Sequence, residues 1–485
     1  MTPSKALTKA RLLSGTTWIA LAEAIMLPTG FLTVVFLTRQ LGPEGYGLFA
    51  LAATLVTWIE WGINSIFSRT TIKFVGAASD WRAVAAVVLR LQFGCSLLAA
   101  LALALAAPAI ASALNEPALT QLLWLFALEI PLFNLALAHQ NILAGLGRFG
   151  LRAIAGAGRW VARLLLIVGL VKLGFSTLGA VFGSLGALLV SLIICRCAIR
   201  PSIFYPTRFP ARQLAGYAVP LFLSALAMRL YGQVDLIALK ALGGTAEQAG
   251  RYAVAQNLAL LGGVLGPALV PVLLTKLSQL SSQEQLQQIR ALSRAGMRAV
   301  FLHLPIAGIV VGSSSEIVRG LFGNDYALAA PLFSVLFLAA IATVMIVVTS
   351  TILIASDRPR WTLAIAAPLL LLALSGHWLF IPRWGETGAS VTTLLVALVG
   401  ALAGLLAVYI RWRVVPPRMT LGRCCLMFAG MWAAAAAWPV SGGLLLLKLP
   451  ALGLAALLGL WLLGEIDAAD RALLRHLVLE KLQKT

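Results

Sequence analysis

Long apolar runs alternate with short polar turns along almost the whole chain. A helix of about twenty apolar residues crosses the hydrocarbon core of a bilayer, and the runs do not show the period-2 alternation of membrane barrels. Because helices are the other structure that satisfies the backbone in lipid, the pattern predicts an all-α polytopic membrane protein. About 14 transmembrane helices are predicted, near residues 15–38, 46–67, 84–107, 119–144, 153–172, 177–196, 213–239, 251–275, 298–315, 328–355, 361–381, 386–410, 424–441 and 444–464.

Composition agrees with this class of protein. Of the 485 residues, 60% are hydrophobic and 11% are charged, whereas ordinary soluble domains carry about 25% charged residues. The formal net charge of +20 does not call for nucleic acid as a partner, because lysine and arginine concentrate in every second turn between the spans. Cytoplasmic loops collect these residues. The distribution therefore predicts a multi-pass protein with both termini in the cytoplasm.

One motif occurs twice, about two hundred residues apart. Arg39–Ala50 and Lys240–Ala253 each contain a basic residue, then Leu-Gly, then Gly-x-aromatic-Ala, and each lies between two apolar runs. Six spans separate the copies, so both units enter the membrane from the same side as parallel repeats. We predict two six-helix repeats around a central cavity, followed by a helix pair. The segments are an N-terminal lobe (1–200), a linker (201–212), a C-terminal lobe (213–410), the helix pair (424–464) and a cytoplasmic amphipathic tail (465–485).

Four arginines lie well inside predicted spans, at Arg90, Arg159, Arg163 and Arg229. Each would cost about 2.5–3.5 kcal/mol at the centre of a lipid-facing helix. We therefore expect them to face protein, or water inside the protein.

The fifth span carries a ladder of basic residues. Arg148, Arg152, Arg159 and Arg163 share one helical face and climb about 22 Å, and Gly156 leaves that face open. Guanidinium groups bind phosphate in a bidentate manner, so the ladder suits a diphosphate head group that crosses the membrane. The alternative is that these arginines pair with carboxylates and hold the lobes together. The predicted substrate-binding residues are Arg90, Arg152, Arg159, Arg163 and Arg229.

Four carboxylates also lie inside spans, at Glu23, Glu60, Glu129 and Asp235. They could bind a coupling proton or sodium ion, or they could be counter-ions that keep a cavity near neutrality, and the sequence leaves both open. The histidines and cysteines lack metal-type spacing, and no nucleotide-binding motif occurs. We therefore expect no metal and no cofactor.

Three motifs carry a resemblance to a known family. Arg39–Ala50, the Leu-x-Gly-x-Gly-Arg of Leu143–Arg148 and the Gly-x-x-Gly-Ala of Gly385–Ala389 resemble the polysaccharide-type (Wzx-like) flippases. These belong to the multidrug/oligosaccharidyl-lipid/polysaccharide (MOP) superfamily. The resemblance covers spans 1 to 12, and spans 13 and 14 fit its fourteen-span members.

The resemblance implies a flippase of the bacterial inner membrane. It would move an undecaprenyl-diphosphate-linked oligosaccharide to the outer leaflet by alternating access, for cell-surface polysaccharides such as the O-antigen of lipopolysaccharide. Its partners would be this lipid-linked oligosaccharide diphosphate and membrane lipids. In such proteins, basic cavity residues are implicated with the anionic substrate, which would carry onto Arg159 and Arg163.

Two other functions compete with this interpretation. A cation-coupled multidrug exporter of the same superfamily would need a site dominated by acidic residues, and the buried arginines speak against it. A membrane glycosyltransferase or polysaccharide polymerase would need large outer loops, whereas the predicted outer loops are short.

Overall fold

The computed structural model describes residues 3–78, 80–206, 234–282, 285–355, 359–415 and 417–465; within these ranges the side chains of residues 3–23, 69, 268, 281–282 and 359–363 are left out. Throughout these ranges the chain is helical, with turns and no strand. The predicted all-α class is thereby confirmed. The helices are α1 (Pro3–Ala77), α2 (Trp81–Ala113), α3 (Ala118–Ala127), α4 (Glu129–Gly145), α5 (Phe149–Leu170), α6 (Ser176–Ala198), α7 (Val234–Ala241), α8 (Ala246–Ala259), α9 (Leu265–Ser282), α10 (Leu286–Phe301), α11 (Leu304–Gly312), α12 (Ser314–Phe322), α13 (Ala329–Ile354), α14 (Pro359–Trp412), α15 (Arg418–Ala437) and α16 (Leu445–Leu462).

Ten helical stretches in the described part of the chain are long and apolar enough to cross a membrane. Three of them are broken in the middle at glycines with positive φ: Gly42 in α1, Gly174 in the π turn between α5 and α6, and Gly385 in α14. Positive φ is a backbone conformation that glycine adopts without steric cost. The three breaks coincide with predicted turns between spans. Most of predicted span 7 lies in residues 207–233, outside the described residues, so the number fourteen stays a prediction.

The chain divides into two compact units, Met1–Ala253 and Val254–Thr485. The division falls inside α8 rather than in the predicted linker, and the predicted lobe boundaries stay a prediction. In the first unit, α5 packs against α6 and α1, and α4 packs against α1, α2 and α6. Gly183 permits the close approach of α6 to α5, because a Cβ atom there would lie 2.6 Å from the side chain of Ile167.

In the second unit, α13 packs along α14, and α11 packs against α15. Small residues make both approaches possible. A Cβ atom on Gly400 would lie 2.6 Å from Ile346, and one on Gly312 would lie 2.7 Å from Ala435. Close packing through small residues is the usual way in which helices associate in lipid, where the hydrophobic effect provides no driving force between them.

Ion pairs hold both ends of α16. Near its start, Lys448 is fully buried and its Nζ lies 2.5 Å from Glu316 Oε2. Just after its end, Glu465 accepts hydrogen bonds from Arg423 at 2.9 Å and Thr420 at 2.8 Å, and Arg298 lies 3.5 Å away. Spans 13 and 14, although outside the predicted repeat, are therefore fixed to the rest of the second unit by specific polar contacts.

The environment of Glu465 shifts its titration. Burial by itself would raise the pKa of this carboxyl group. The hydrogen bonds from Thr420 and Arg423, together with the charges of Arg298 and Arg423, outweigh burial, so the pKa of Glu465 lies below its ordinary value.

The two copies of the repeated motif meet each other inside the first unit. A Cβ atom on Gly47 would overlap the carbonyl oxygen of Ala246, and one on Gly250 would overlap the carbonyl oxygen of Pro43. Gly47 matches Gly250 in the repeat, and Pro43 matches Ala246 at the same offset. The contact is therefore reciprocal, as at an approximate two-fold axis.

An ion pair lies beside this crossing. Lys240, the basic residue that opens the second copy, is 5% exposed and its Nζ lies 2.8 Å from Glu116 Oε1. The same Nζ donates a hydrogen bond to the Gly244 carbonyl at 2.9 Å. The loop between α2 and α3, which carries Glu116, is thus tied to α7.

Candidate functional site

The ladder face of α5 forms the wall of a cavity in the first unit. Arg152, Gly156 and Arg159 follow one another at spacings of four and three residues, and all three line a cavity of about 240 Å³. A Cβ atom on Gly156 would meet no atom within 4 Å, so the glycine leaves this face open. Apolar residues on the opposite side of the helix are exposed, among them Val161 and Leu165. α5 therefore turns its basic side toward the interior of the unit, where the cavity lies, and its apolar side outward.

Aromatic rings hold the guanidinium group of Arg159. It lies 5.4 Å from the centre of the Phe133 ring and 5.1 Å from that of Trp160, within the range of cation–π attraction. Both rings line the cavity. Gly30 of α1 makes room for Trp160, because a Cβ atom on Gly30 would already touch the indole at 3.4 Å. The rings attract the guanidinium group without accepting its N–H groups, and no described residue accepts a hydrogen bond from it, so these N–H groups remain available.

Arg163 is the next residue up the same face. Its Nε donates to Ser184 Oγ of α6 at 3.2 Å, and its guanidinium carbon lies 5.5 Å from the Trp160 ring. Ser184 is 2% exposed, so the anchor is rigid. Within the described part of the chain, the two terminal nitrogens of Arg163 donate to no other group. They form the fork that binds an oxyanion in a bidentate manner.

Two carboxylates complete this cluster. Glu60 is 5% exposed, and Glu129 is half-buried. Each interacts electrostatically with both Arg159 and Arg163, but no carboxylate oxygen of either lies within 4.0 Å of a guanidinium nitrogen, so neither forms a direct ion pair with them. Glu60 Oε1 and Glu129 Oε2 are buried and accept no hydrogen bond from any described residue. The formal charges of the four groups cancel.

Arg90 lies elsewhere. It is exposed in the first third of α2, and it donates to the carbonyl oxygens of Ile203 at 2.5 Å and Tyr205 at 2.7 Å. The Tyr205 hydroxyl donates to Asp80 at 3.0 Å, which raises the pKa of Tyr205. Arg90 therefore fixes the segment after α6 to α2, and the structure does not bring it into the cavity.

Asp235 lies in a polar contact between two helices. Asp235 accepts hydrogen bonds from the Tyr252 hydroxyl at 2.7 Å and from the Leu236 amide at 2.9 Å, which ties α7 to α8. Arg229 and the side chain of Glu23 lie outside the described residues.

The second repeat lacks the upper rungs of the ladder. The positions that match Arg159 and Arg163 are occupied by Leu369 and Ala373, which are 3% and 4% exposed. They are packed against neighbouring side chains rather than open to a cavity. The basic column is thus a property of the first repeat.

Sequence reasoning did not single out the residues that hold the arginines. Phe133, Trp160 and Ser184 are ordinary apolar or small residues of membrane helices. The one feature of the sequence that could have indicated a partner is that Trp160 directly follows Arg159. The partners on α4 and α6 are brought close only by the packing of the unit.

Comparisons with known proteins identify the family of the chain. Residues 36–331 match the family described as "Polysaccharide biosynthesis protein". Among curated proteins, the chain is 24% identical over 405 residues to "Probable flippase AglR" of Haloferax volcanii, which covers 81% of this chain and 82% of that protein.

Solved structures share the fold. The lipid II flippase MurJ in an inward closed conformation superposes with a TM-score of 0.72 at 14% identity, over 95% of this chain and all of that one. An inward-facing multidrug resistance MATE transporter gives a TM-score of 0.62 at 15% identity, over 82% of this chain and 94% of that one. The chain therefore belongs to the polysaccharide biosynthesis protein family, and it shares its fold with transporters of the MOP superfamily.

Proposed function

We propose that this protein moves an undecaprenyl-diphosphate-linked oligosaccharide across the bacterial inner membrane by alternating access, with Arg159 and Arg163 binding the diphosphate. The observation that carries the proposal is a pair of neighbouring guanidinium groups: that of Arg159, which lines a cavity of about 240 Å³ and donates to no described residue, and that of Arg163, whose terminal nitrogens donate to no described residue while its Nε is held by Ser184. An anion with two phosphoryl groups matches two adjacent forks.

The ladder supplies a path to this site. Arg152 lines the same cavity as Arg159, and Arg148 lies just before α5, where it donates to the Ala198 carbonyl at 3.2 Å. The positive-inside distribution puts this end of α5 at the cytoplasmic surface. A head group entering from the cytoplasm would meet the arginines in succession.

The reciprocal glycine crossing supports the alternating-access part of the proposal. Pro43, Gly47, Ala246 and Gly250 belong to turns that the charge pattern assigns to the outer side. The crossing depends on backbone packing, with the Lys240–Glu116 ion pair beside it. Contacts of this kind can separate and re-form without unfolding the helices, so the crossing is suited to close the outer side while the cavity is loaded.

The experiment is a flipping assay in proteoliposomes with a fluorescent prenyl-diphosphate-linked sugar. In the Arg159→Ala/Arg163→Ala double variant, flipping should fall at least about a hundredfold, since two charge-assisted contacts of about 1.5–3 kcal/mol each are lost. The matched control is Arg319→Ala/Arg383→Ala, which removes two exposed arginines of the second unit.

A charge-conserving variant separates geometry from charge. Arg159→Lys/Arg163→Lys keeps two positive charges but loses the planar fork, so it should retain only part of the activity. Full flipping by the double alanine variant, in protein that inserts and remains monodisperse, would refute the proposed site.

A further inference from the structure

We infer that Glu60 and Glu129 are internal counter-ions that compete with the substrate's diphosphate for Arg159 and Arg163, and that they thereby set how readily the substrate is released. The inference rests on the proposed binding of a diphosphate by these two arginines. It assigns to the carboxylates a role in the transport cycle that does not require them to carry an ion.

The charges of the cluster are balanced across three elements. Glu60 and Tyr46 come from α1, Glu129 from α4, and Arg159 and Arg163 from α5. These titratable groups interact with one another, and α6 contributes the neutral Ser184. In formal charges the cluster holds two positive and two negative groups, which avoids a large uncompensated charge inside the membrane.

The separation of the groups indicates competition rather than a locked salt bridge. The carboxylates interact with both guanidinium groups, yet none of their oxygens lies within the 4.0 Å of a direct ion pair. Two of those oxygens, Glu60 Oε1 and Glu129 Oε2, have no hydrogen-bond donor among the described residues. Direct ion pairs would occupy the N–H groups of both arginines. In the observed arrangement the carboxylates act on the arginines from a distance, and the N–H groups of Arg159 and the terminal nitrogens of Arg163 remain available to an incoming anion.

The balance has a consequence for turnover. Each carboxylate lowers the positive potential at the arginine edges, so a bound diphosphate is held less tightly than it would be by the arginines alone. Binding that is too tight slows release and lowers turnover without improving transport. Removing a carboxylate charge should therefore raise affinity and slow flipping together.

The test measures binding and transport in the same variants. Glu60→Gln, Glu129→Gln and their combination keep the side-chain shape and remove the charge. Equilibrium binding of geranylgeranyl diphosphate to the purified full-length protein, with geranylgeraniol as the uncharged comparison, gives the affinity. Each single variant should bind the diphosphate at least about tenfold more tightly, which is 1.4 kcal/mol, and should flip the fluorescent substrate several-fold more slowly.

Two further variants complete the comparison. Glu60→Asp keeps the negative charge, so its diphosphate affinity should lie closer to that of the wild type than the affinity of Glu60→Gln does. Asp325→Asn removes an exposed carboxylate of the second unit and should change neither quantity.

The outcomes separate the inference from the function on which it rests. Unchanged or weaker diphosphate binding in both glutamine variants overturns the counter-ion role, as does a loss of response to a proton or sodium gradient without a gain in affinity. Unchanged binding in Arg159→Ala/Arg163→Ala would instead refute the diphosphate site itself, whatever the glutamine variants show.

Discussion

Replacing Lys448 by methionine tests whether a buried ion pair fixes α16. The lysine is fully buried, and its Nζ lies 2.5 Å from Glu316 Oε2. Glu316 Oε1 also accepts a hydrogen bond from the Val440 amide at 3.0 Å. Methionine has a similar length and no charge, so Lys448→Met removes the counter-charge with little change in packing volume. The substitution leaves the Glu316 carboxylate with one hydrogen-bond donor, the Val440 amide, in a largely apolar environment.

The size of the effect follows from that stranded charge. Breaking a buried pair by removing one partner costs about 3–5 kcal/mol. The side chain of Glu316 is 16% exposed and keeps the Val440 bond, so we expect the lower end, about 3 kcal/mol. Since about 1 kcal/mol corresponds to 2–4 °C in a domain of this size, the midpoint of thermal unfolding should fall by roughly 6 °C or more.

The assay is thermal unfolding of the detergent-purified protein followed by intrinsic fluorescence. Adding Glu316→Gln to Lys448→Met should recover much of the loss, because no unpaired charge then remains. Lys276→Met, at an exposed lysine of α9, is the matched control. A midpoint within 1 °C of wild type for Lys448→Met, or no recovery in the double variant, would show that the pair does not stabilise the unit.

Two further predictions concern the glycine crossing and the other end of α16. Gly47→Ala forces a Cβ atom against the second copy of the motif, at a cost of about 1–3 kcal/mol from overpacking. Cysteine probes introduced into the outer turns should then react faster with a thiol reagent. In the control Gly169→Ala, where a Cβ atom meets nothing within 4 Å, the labelling rate should equal that of the wild type. Equal labelling rates in the two variants would contradict the gating role. The lowered pKa of Glu465 means that its charge stabilises the fold above the unfolded value of about 4.3, and this contribution is lost as the pH falls through the lower folded value. Glu465→Gln should therefore flatten the acid-side loss of thermal stability, and an unchanged pH profile would exclude this linkage.

The sequence predicted those features that depend on local periodicity. The ladder on α5 follows from the 3.6-residue repeat, and Arg152, Gly156 and Arg159 do line one cavity. The hairpin turns at Gly42 and Gly385 follow from glycine between apolar runs. These predictions succeeded because each one needs only residues that are near one another in the chain.

Other features depend on contacts between distant segments. Arg90 appeared to be an intramembrane binding residue from its position in an apolar run, but its partners lie more than a hundred residues away at Ile203 and Tyr205. Lys448 lies in the predicted span 444–464, and its partner Glu316, which neutralises it in a fully buried position, lies 132 residues earlier in the chain. A charged residue in an apolar run indicates that a partner exists, and the spacing along the chain does not tell which one.

The reciprocal crossing of Gly47 and Gly250 also has an evolutionary consequence. In each copy of the motif, a glycine without a side chain packs against a backbone carbonyl of the other copy. The contact surface of the motif is therefore self-complementary, as in an isologous dimer. A half-length ancestor with a single copy could have formed the same contact with a second identical subunit. Duplication and fusion would then have turned a homodimer into one chain, after which only one half needed to keep the basic column.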